Sequence, residues 1–239
     1  MAKDVVVTAK KVYGIKKKYS NIKLILSIVL IVLTLIFIIL GVIYKGGKFT
    51  ITLDKRLSSE SGIVIYEDLE IKESKRKLSA RDLEFMDNIS INWIPQNIDT
   101  ESDGSHNGEN YIAYTFYIEN EGEETINYWY TIIIDDVIKN VDEATRVMVY
   151  LNGNKTIYAK INSYTNEPEE NTTPFYSKKE AVLEQRKDFK PGDVDKYTIV
   201  IWLEGDDPDC IDNILGGEIK MHMEIREEHK EESVNNGQK

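Results

Sequence analysis

The stretch "YIAYTFYIEN" (Tyr111–Asn120) places Ile112, Tyr114, Phe116 and Ile118 at every second position. Successive side chains of a β-strand point to opposite faces, so this alternation of β-branched and aromatic residues predicts a half-buried strand. The next run, "TINYWYTIII", repeats the pattern with Ile126, Tyr128, Tyr130, Ile132 and Ile134 on one face. The turn-forming "NEG" at 120–122 lies between the two runs and predicts a hairpin.

Six further runs have the same period of two. They are "FTITL" (Phe49, Ile51, Leu53), "ISINWI" (Ile89, Ile91, Trp93), "TRVMVYL" (Val147, Val149, Leu151), "KTIYAKI" (Ile157, Ala159, Ile161), "YTIVIWL" (Tyr197, Ile199, Ile201, Leu203) and "EIKMHMEI" (Ile219, Met221, Met223, Ile225). Eight or more such strands without helices between them require two packed sheets. The sequence therefore predicts a mainly β fold, a jelly-roll-like β-sandwich over residues 44–226.

Turn and capping signals divide the rest of this region. "NGN" at 152–154 predicts a second hairpin turn, and "LGG" at 215–217 leads into the last strand. One helix is predicted within "SKKEAVLEQRKDFKPG" (177–192), where Ser177 and Glu180 form a capping-box pattern and "KPG" ends the run. We expect this helix to cover one edge of the sandwich.

Residues 24–43, "LILSIVLIVLTLIFIILGVI", carry no charge, and 17 of these 20 positions are Leu, Ile, Val or Phe. A helix of this length spans about 30 Å, the thickness of the hydrocarbon core of a bilayer. The apolar run is longer than that of a signal peptide, and no A-x-A pattern follows it. The segment is therefore predicted to be an uncleaved signal anchor that crosses the membrane once.

The flanking charges predict the orientation of this anchor. Residues 1–23 contain seven lysines and Asp4, a formal charge of +6, while fewer cationic residues follow the apolar segment. The positive-inside rule then places the basic N-terminus (1–23) in the cytoplasm and the body outside the cell. The polar residues 227–239 show no apolar period and are predicted to be a disordered tail.

The charge of the remainder limits its partners. Of the net charge of −11, residues 24–239 carry −17, which disfavours binding to nucleic acid. Cys210 is the only cysteine, so an intramolecular disulfide is impossible and the fold depends on its apolar core. In a protein facing outward, this cysteine usage favours a bacterial surface over a eukaryotic secretory route.

Two acidic segments are candidate cation sites. The first segment is "EGDDPDC" with the residues just after it, and it contains Asp206, Asp207, Asp209 and Asp212. These aspartates follow a predicted strand, where they could bind Ca²⁺ or form a structured turn. "DTESDGSHNGEN" (Asp99–Asn110) approaches a calcium loop through Asp99, Asp103 and Gly104, yet Asn110 replaces the bidentate glutamate. A structured turn and a solvated loop are the favoured interpretations.

The sequence contains no recognisable catalytic motif. The three histidines, His106, His222 and His229, form no H-E-x-x-H motif, and Cys210 has no histidine nearby in sequence. We therefore predict no enzymatic activity, no catalytic residue, no metal ligand and no cofactor. Trp129 lies on the face opposite Tyr128 and Tyr130, where it could bind carbohydrate or protein or simply pack beneath a loop.

The final segment, "YTIVIWLEGDDPDCIDNILGGEIKMHMEI", follows a lysine-rich N-terminus, an apolar segment and an acidic body. This combination resembles the TasA/camelysin-like surface proteins of Gram-positive bacteria, which form biofilm-matrix fibres by passing a strand between subunits. The resemblance covers about the last 40 residues and implies a jelly-roll fold with a structural or assembly role. The chain departs from this family in two ways. It is predicted to keep its anchor, whereas fibre subunits are released from theirs, and it lacks the ligands for the metalloprotease activity ascribed to camelysin.

The sequence thus leads to two hypotheses about function. The first is a membrane-anchored cell-surface protein that binds other surface or matrix proteins, in fibre or matrix assembly. The alternative is an extracytoplasmic module that binds or senses a ligand such as Ca²⁺ or a cell-wall glycan.

Overall fold

The computed structural model describes residues 9–44, 48–83 and 85–227. The predicted tail at 227–239 lies outside them except for Glu227, as do the first eight residues of the basic N-terminus. The chain divides into two compact units, Met1–Gly46 and Gly47–Lys239. Each unit is described below by itself.

The first unit contains one long helix, α1 (Ala9–Tyr44). Its segment Asn21–Leu40 is long and apolar enough to cross a membrane. All side chains of residues 21–40 are exposed, which matches a helix that is apolar on every face and has no protein core to pack against. This confirms an N-terminal helix compatible with a single-pass anchor or with a signal peptide.

The second unit is built from β-strands. Within the described residues they are β1 (Thr50–Leu53), β2 (Ile63–Tyr66), β3 (Lys77–Ser79), β4 (Gly104–Ser105), β5 (Tyr111–Asn120), β6 (Ile126–Ile138), β7 (Thr145–Leu151), β8 (Asn154–Ala159), β9 (Thr173–Pro174), β10 (Glu180–Phe189), β11 (Val194–Leu203) and β12 (Glu218–Arg226). A short helix, α2 (Lys55–Ser59), follows β1. Short 3-10 helices cover Ile91–Trp93, Ile98–Thr100, Val141–Glu143 and Asp212–Ile214.

The strands form two sheets. Sheet A has the order β10-β6-β12-β1-β3, and sheet B has the order β2-β5-β11-β7-β8-β9, with β4 also paired to β5. Most neighbours are antiparallel, but β1 runs parallel to β12 and β9 runs parallel to β8. The N-terminal and C-terminal strands of the body therefore lie side by side, which requires residues far apart in sequence to meet.

The main core lies between the two sheets and confirms the predicted β-sandwich. Sheet B contributes Tyr114, Phe116 and Ile118 from β5, and sheet A contributes Ile51 and other residues that alternate along their strands. Phe116 stacks on Tyr197 of β11 with ring centroids 5.3 Å apart. The period of two thus identified the buried face of most strands, because the pleat alone decides which side chains share a face.

A second apolar cluster lies on the outer face of sheet B. It joins Ile89, Ile94 and Ile98, from the segment before β5, to outward side chains of the sheet that include Val200 and Trp202. Segment 89–98 therefore covers this face of the sheet. Burial on both faces explains why β11 is apolar at nearly every position of "TIVIWL" instead of alternating with polar residues.

The prediction of a helix within 177–192 is wrong. Residues Glu180–Phe189 form the edge strand β10, paired antiparallel with β6. Ser177 Oγ does accept the N–H of Glu180 (3.1 Å), but this contact closes a turn that leads into the strand. Ala181, Val182 and Phe189 are buried in the main core, so packing against β6 outweighs the local capping signal.

The prediction of a strand at "ISINWI" is also wrong. Ile91–Trp93 is a 3-10 helix whose start is capped by Ser90. Ile89 and Ile94 are buried in the outer cluster, while Trp93 is exposed. Apolar residues at this spacing satisfied the rule for a strand, but only Ile89 pairs with the sheet, through a single parallel bridge to Glu204, and the residues after it cover the sheet.

The predicted inward face of β8 is reversed. Tyr158 belongs to the main core, whereas Ile157 packs against the outer cluster on sheet B. Because both faces of sheet B are covered here, apolar residues occur on each side of the strand and the alternation does not identify the inner one.

The predicted turns are present, but at one of them glycine is required for close packing and not for a positive φ. Asn152 and Gly153 have φ of 52° and 80°, as a two-residue hairpin turn requires, and Gly216 has φ of 67°. Gly122 has no positive φ. It is instead the site of a close approach, since a Cβ there would lie 2.1 Å from the carbonyl oxygen of Ser61.

Candidate functional site

The acidic turn after β11 begins with Glu204, whose carboxylate links β11 to the segment that covers sheet B. Glu204 Oε2 accepts the indole N–H of Trp202 (3.0 Å) and the backbone N–H of Ile91 (3.2 Å). The Glu204 side chain is buried. It therefore satisfies the buried indole and fastens the covering segment to sheet B, a role that the sequence did not reveal.

Asp207 forms a buried ion pair with Arg146 of β7. The Asp207 side chain is fully buried and that of Arg146 is 5% exposed. Asp207 Oδ1 also accepts the N–H of Asp209 (2.7 Å), which closes the turn. A second carboxylate, that of Glu169, lies 4.0 Å from the same guanidinium.

Asp209 ties the turn to the loop after β8. Its carboxylate accepts the hydroxyl of Ser163 (2.5 Å) and the backbone N–H of the same residue (3.1 Å). Of the four aspartates singled out in this segment, Asp207 and Asp209 come together, whereas Asp206 and Asp212 are exposed and do not join them.

The resulting cluster differs from the predicted one. Oxygens of Glu169, Asp207 and Asp209 lie within 4.8 Å of one another. Glu169 Oε1 is buried without a hydrogen-bond partner. Arg146, however, already supplies a positive charge in direct contact with Asp207, so this carboxylate is paired within the protein. The segment itself forms the predicted structured turn.

The second acidic segment, Asp99–Asn110, uses its polar groups in other contacts. Asp103 accepts the hydroxyl of Tyr117 (2.7 Å), and Asn110 Oδ1 accepts the N–H of Asp87 (2.9 Å). The ring nitrogens of His106 lie 3.0 Å and 3.2 Å from the carbonyls of Gly104 and Ile98. Within the described residues, the compact carboxylate cluster includes neither Asp99 nor Asp103.

His222 lies on the outer face of sheet A, as its place opposite the inward residues of β12 predicted. Its Nδ1 lies 2.7 Å from Asp135 Oδ2, and its Nε2 lies 3.4 Å from Glu224 Oε1. The hydrogen bond to Glu224, with a further one to Asp135, raises the pKa of His222, although burial opposes the shift. His222 thus lies between two carboxylates that favour its protonated form, in a surface network.

A buried polar network lies inside the sandwich around Asp195. Its Oδ2 accepts the hydroxyl of Tyr128 (2.7 Å) and the Nε–H of Arg186 (2.9 Å), and its Oδ1 accepts the amide of Asn152 (2.8 Å). The Tyr128 hydroxyl also lies 3.0 Å from that of Tyr197. Burial raises the pKa of both tyrosines well above the ordinary value.

Sequence reasoning overlooked this network, but a signal for it was present. Asp195 is two residues before Tyr197 and therefore lies on the inward face of β11. A carboxylate at an inward position must find polar partners, because an unpaired charge in a core is strongly unfavourable. The network is then a structural requirement of the core.

An open cleft lies at one end of the sandwich, between the sheets. It has a volume of about 330 Å³ and is bounded by residues 81–83 and 85–88 of one loop and by residues 210–212 and 214–217. Phe49 and Met221 line it from the side of sheet A, and Ile201 lines it from sheet B. Cys210 also lines it, and burial raises the pKa of this thiol. This cleft is the concave apolar surface of the body.

Comparisons with known proteins yield little. No family model matches the chain, and no curated protein sequence matches it. Among solved structures, the chain is similar to a crystal structure of a β-glucosidase from Kluyveromyces marxianus in complex with glucose, at 12% identity and a TM-score of 0.25. The match covers 70% of this chain but only 15% of that enzyme, and a likeness this weak carries no argument about fold or function.

Proposed function

We propose that the chain is a single-pass cell-surface protein whose β-sandwich binds other surface or matrix proteins in a structural or assembly role. The observation that carries this proposal is the pairing of a span-length apolar helix, exposed along residues 21–40, with a separate β unit that has its own core. The helix supports anchoring, and the lysine-rich segment before it supports an external location for the sandwich.

Edge strands of the sandwich support the assembly role. In sheet A the edges are β3 and β10, and in sheet B they are β2 and β9. The strand β10 spans 10 residues, longer than β2, β3 or β9. An edge of this length can pair with an extended segment of another chain through main-chain hydrogen bonds.

The location can be tested through the single cysteine. Intact cells that produce the full chain are treated with a membrane-impermeant maleimide, alongside permeabilised cells. An external body predicts that Cys210 reacts in intact cells at the same rate as in permeabilised cells. Reaction only after permeabilisation would place the body in the cytoplasm and refute the proposed location.

The assembly role is tested by chemical crosslinking on intact cells, followed by purification of the full chain. We expect crosslinked species that contain other surface or matrix proteins or further copies of the chain. Its matched control is a chain that keeps residues 1–47 in front of an unrelated soluble domain. Recovery of the same species with both chains, or of the monomer alone, would contradict the role.

A further inference from the structure

Several apolar side chains inside the cleft at the end of the sandwich are not fully buried. Ile112, Leu203 and Ile219 line it and are only half-buried, although they belong to strands that otherwise pack in the main core. Met86 is also half-buried in its wall. The packing between the sheets thus stops short at this end and leaves apolar surface that a ligand could cover.

The mouth of the cleft carries large apolar side chains in contact with solvent. Phe85 is 70% exposed, Leu215 is 66% exposed and Ile211 is 48% exposed, and all three line the cleft. Single exposed apolar residues are common on protein surfaces, but a group of them around one concavity indicates a binding site.

Polar groups are distributed unequally between the rim and the interior. The charged lining residues are all exposed and include both signs: Lys48, Arg81, Asp82, Asp87, Asp212 and Glu218. Deeper in the cleft, the buried hydroxyl of Thr145 already donates to the carbonyl oxygen of Val141 (2.9 Å). The cleft therefore has an apolar interior and a charged rim with four carboxylates and two cations.

We propose that this cleft binds a single unbranched hydrocarbon chain of an amphipathic molecule, whose polar head remains at the charged rim. A volume of about 330 Å³ equals that of roughly eleven water molecules, and a methylene group occupies nearly the volume of one water. One medium-length acyl chain fits this space. The flexible side chains of Met86 and Met221 can adjust to such a chain.

A peptide segment is a poorer occupant of the same space. Its backbone N–H and C=O groups would each need a hydrogen-bond partner in a mostly apolar interior, and burying them unpaired is unfavourable. A hydrocarbon chain has no such groups. This inference does not depend on which surface proteins the body binds.

The native Cys210 reports on occupancy, because it lines the cleft and is the only thiol in the chain. The full chain is placed in nanodiscs of diphytanoylphosphatidylcholine, whose branched chains differ from the proposed unbranched ligand, and the rate of alkylation by N-ethylmaleimide is measured at mildly alkaline pH. We expect dodecanoate to slow the reaction in a saturable way and butyrate, at equal concentration, to have no effect. Lysophosphatidylcholine with a dodecanoyl chain is the third probe.

The two long-chain probes distinguish the source of the ligand. Protection by both indicates that the head group is not selected and that a lipid can supply the chain. Protection by dodecanoate alone indicates a free fatty acid. Either result supports the proposal, whereas equal protection by butyrate or no protection by either long-chain probe would overturn it.

Variants at the mouth test the location without disturbing the core. Phe85→Asp and Leu215→Asp should each weaken protection by dodecanoate about tenfold, because a charge replaces an apolar contact. Ile71→Asp is the matched control, since Ile71 is 72% exposed and does not line the cleft. Unchanged protection in both mouth variants, or stronger protection by a leucine-rich peptide than by dodecanoate, would refute the site as proposed.

Discussion

The indole N–H of Trp202 donates to Oε2 of Glu204 at a distance of 3.0 Å, because side chains two residues apart in an extended chain lie on the same face. Trp202 packs in the outer cluster on sheet B, and Glu204, in a β-bridge with Ile89, lies beside it. The same oxygen accepts the N–H of Ile91, 113 residues earlier in sequence. This acidic segment therefore fastens the cover of sheet B.

Replacing Glu204 by alanine should destabilise the body by about 2–3 kcal/mol, because the buried indole and the Ile91 amide would lose a charged acceptor. Urea unfolding of the full chain in vesicles, followed by tryptophan fluorescence, measures this change. Asp206→Ala is the matched control, since Asp206 is exposed in the same turn, and should change stability by less than about 0.5 kcal/mol. Equal losses in both variants would show that Glu204 has no special role.

The Arg146–Asp207 pair predicts an asymmetry between its two partners. Asp207→Ala leaves Arg146 near a second carboxylate, Glu169, whereas Arg146→Ala leaves both carboxylates without their cation. Breaking a buried pair costs about 3–5 kcal/mol, and Arg146→Ala should lie at the upper end of this range. Urea midpoints of the two variants test the order.

The double variant Arg146→Met/Asp207→Leu separates lost charge from lost packing. Since neither replacement leaves Arg146 or Asp207 as an unpaired charge, it should be more stable than Arg146→Ala. A double variant that is no better than the worse single variant would mean that shape, and not charge pairing, determines stability at this site.

Two glycines should respond differently to alanine. Gly153 has φ of 80°, and a Cβ added there would have no atom within 4 Å, so Gly153→Ala adds only the left-handed backbone penalty of about 1–2 kcal/mol. Gly122→Ala should cost more, because its Cβ would lie 2.1 Å from the Ser61 carbonyl oxygen and force the backbone to shift. Equilibrium unfolding compares the two, and a larger loss at Gly153 would contradict this explanation.

The surface network around His222 predicts a pH-dependent stability. Its raised pKa means that the folded state binds the proton more tightly, so the stabilisation is complete below the ordinary pKa of 6.5 and is lost as pH rises through the raised value. Glu224 has a lowered pKa, mainly because of its hydrogen bond to His222, and its contribution is lost as pH falls below the ordinary value of 4.5.

His222→Gln keeps a hydrogen-bonding side chain but does not titrate. The difference in unfolding free energy between wild type and His222→Gln should therefore shrink as pH rises from the region of 6.5 upward. A difference that stays constant across this interval would show that the proton on His222 does not contribute to stability.

Much of the fold follows from local patterns in the sequence. The alternation in Tyr111–Asn120 predicted β5 to the residue, and the inward positions of β6, β11 and β12 were identified in the same way. The apolar segment within α1 was equally clear. One failure occurred at β10, where Ser177 and Glu180 signal a helix while Ala181 and Val182 pack as a strand.

The candidate sites were less accessible to sequence reasoning. The acidic turn was recognised, but the partners of its carboxylates were not, because Arg146, Ser163 and Glu169 come from a distant strand and loops. The cleft could not be predicted either. It depends on where the packing between two sheets stops, and no local pattern records that position.

By itself, the sequence determined that a span-length apolar helix precedes an acidic, mainly β body, since hydropathy and side-chain alternation act over a few neighbouring residues. Only the tertiary structure decided that residues 180–189 join sheet A as a strand, that segment 89–98 covers sheet B, and that Asp207 is neutralised by Arg146. In each case the same side chains could have had other partners far away in sequence. Burial and charge pairing select the actual partners only when the whole chain is folded.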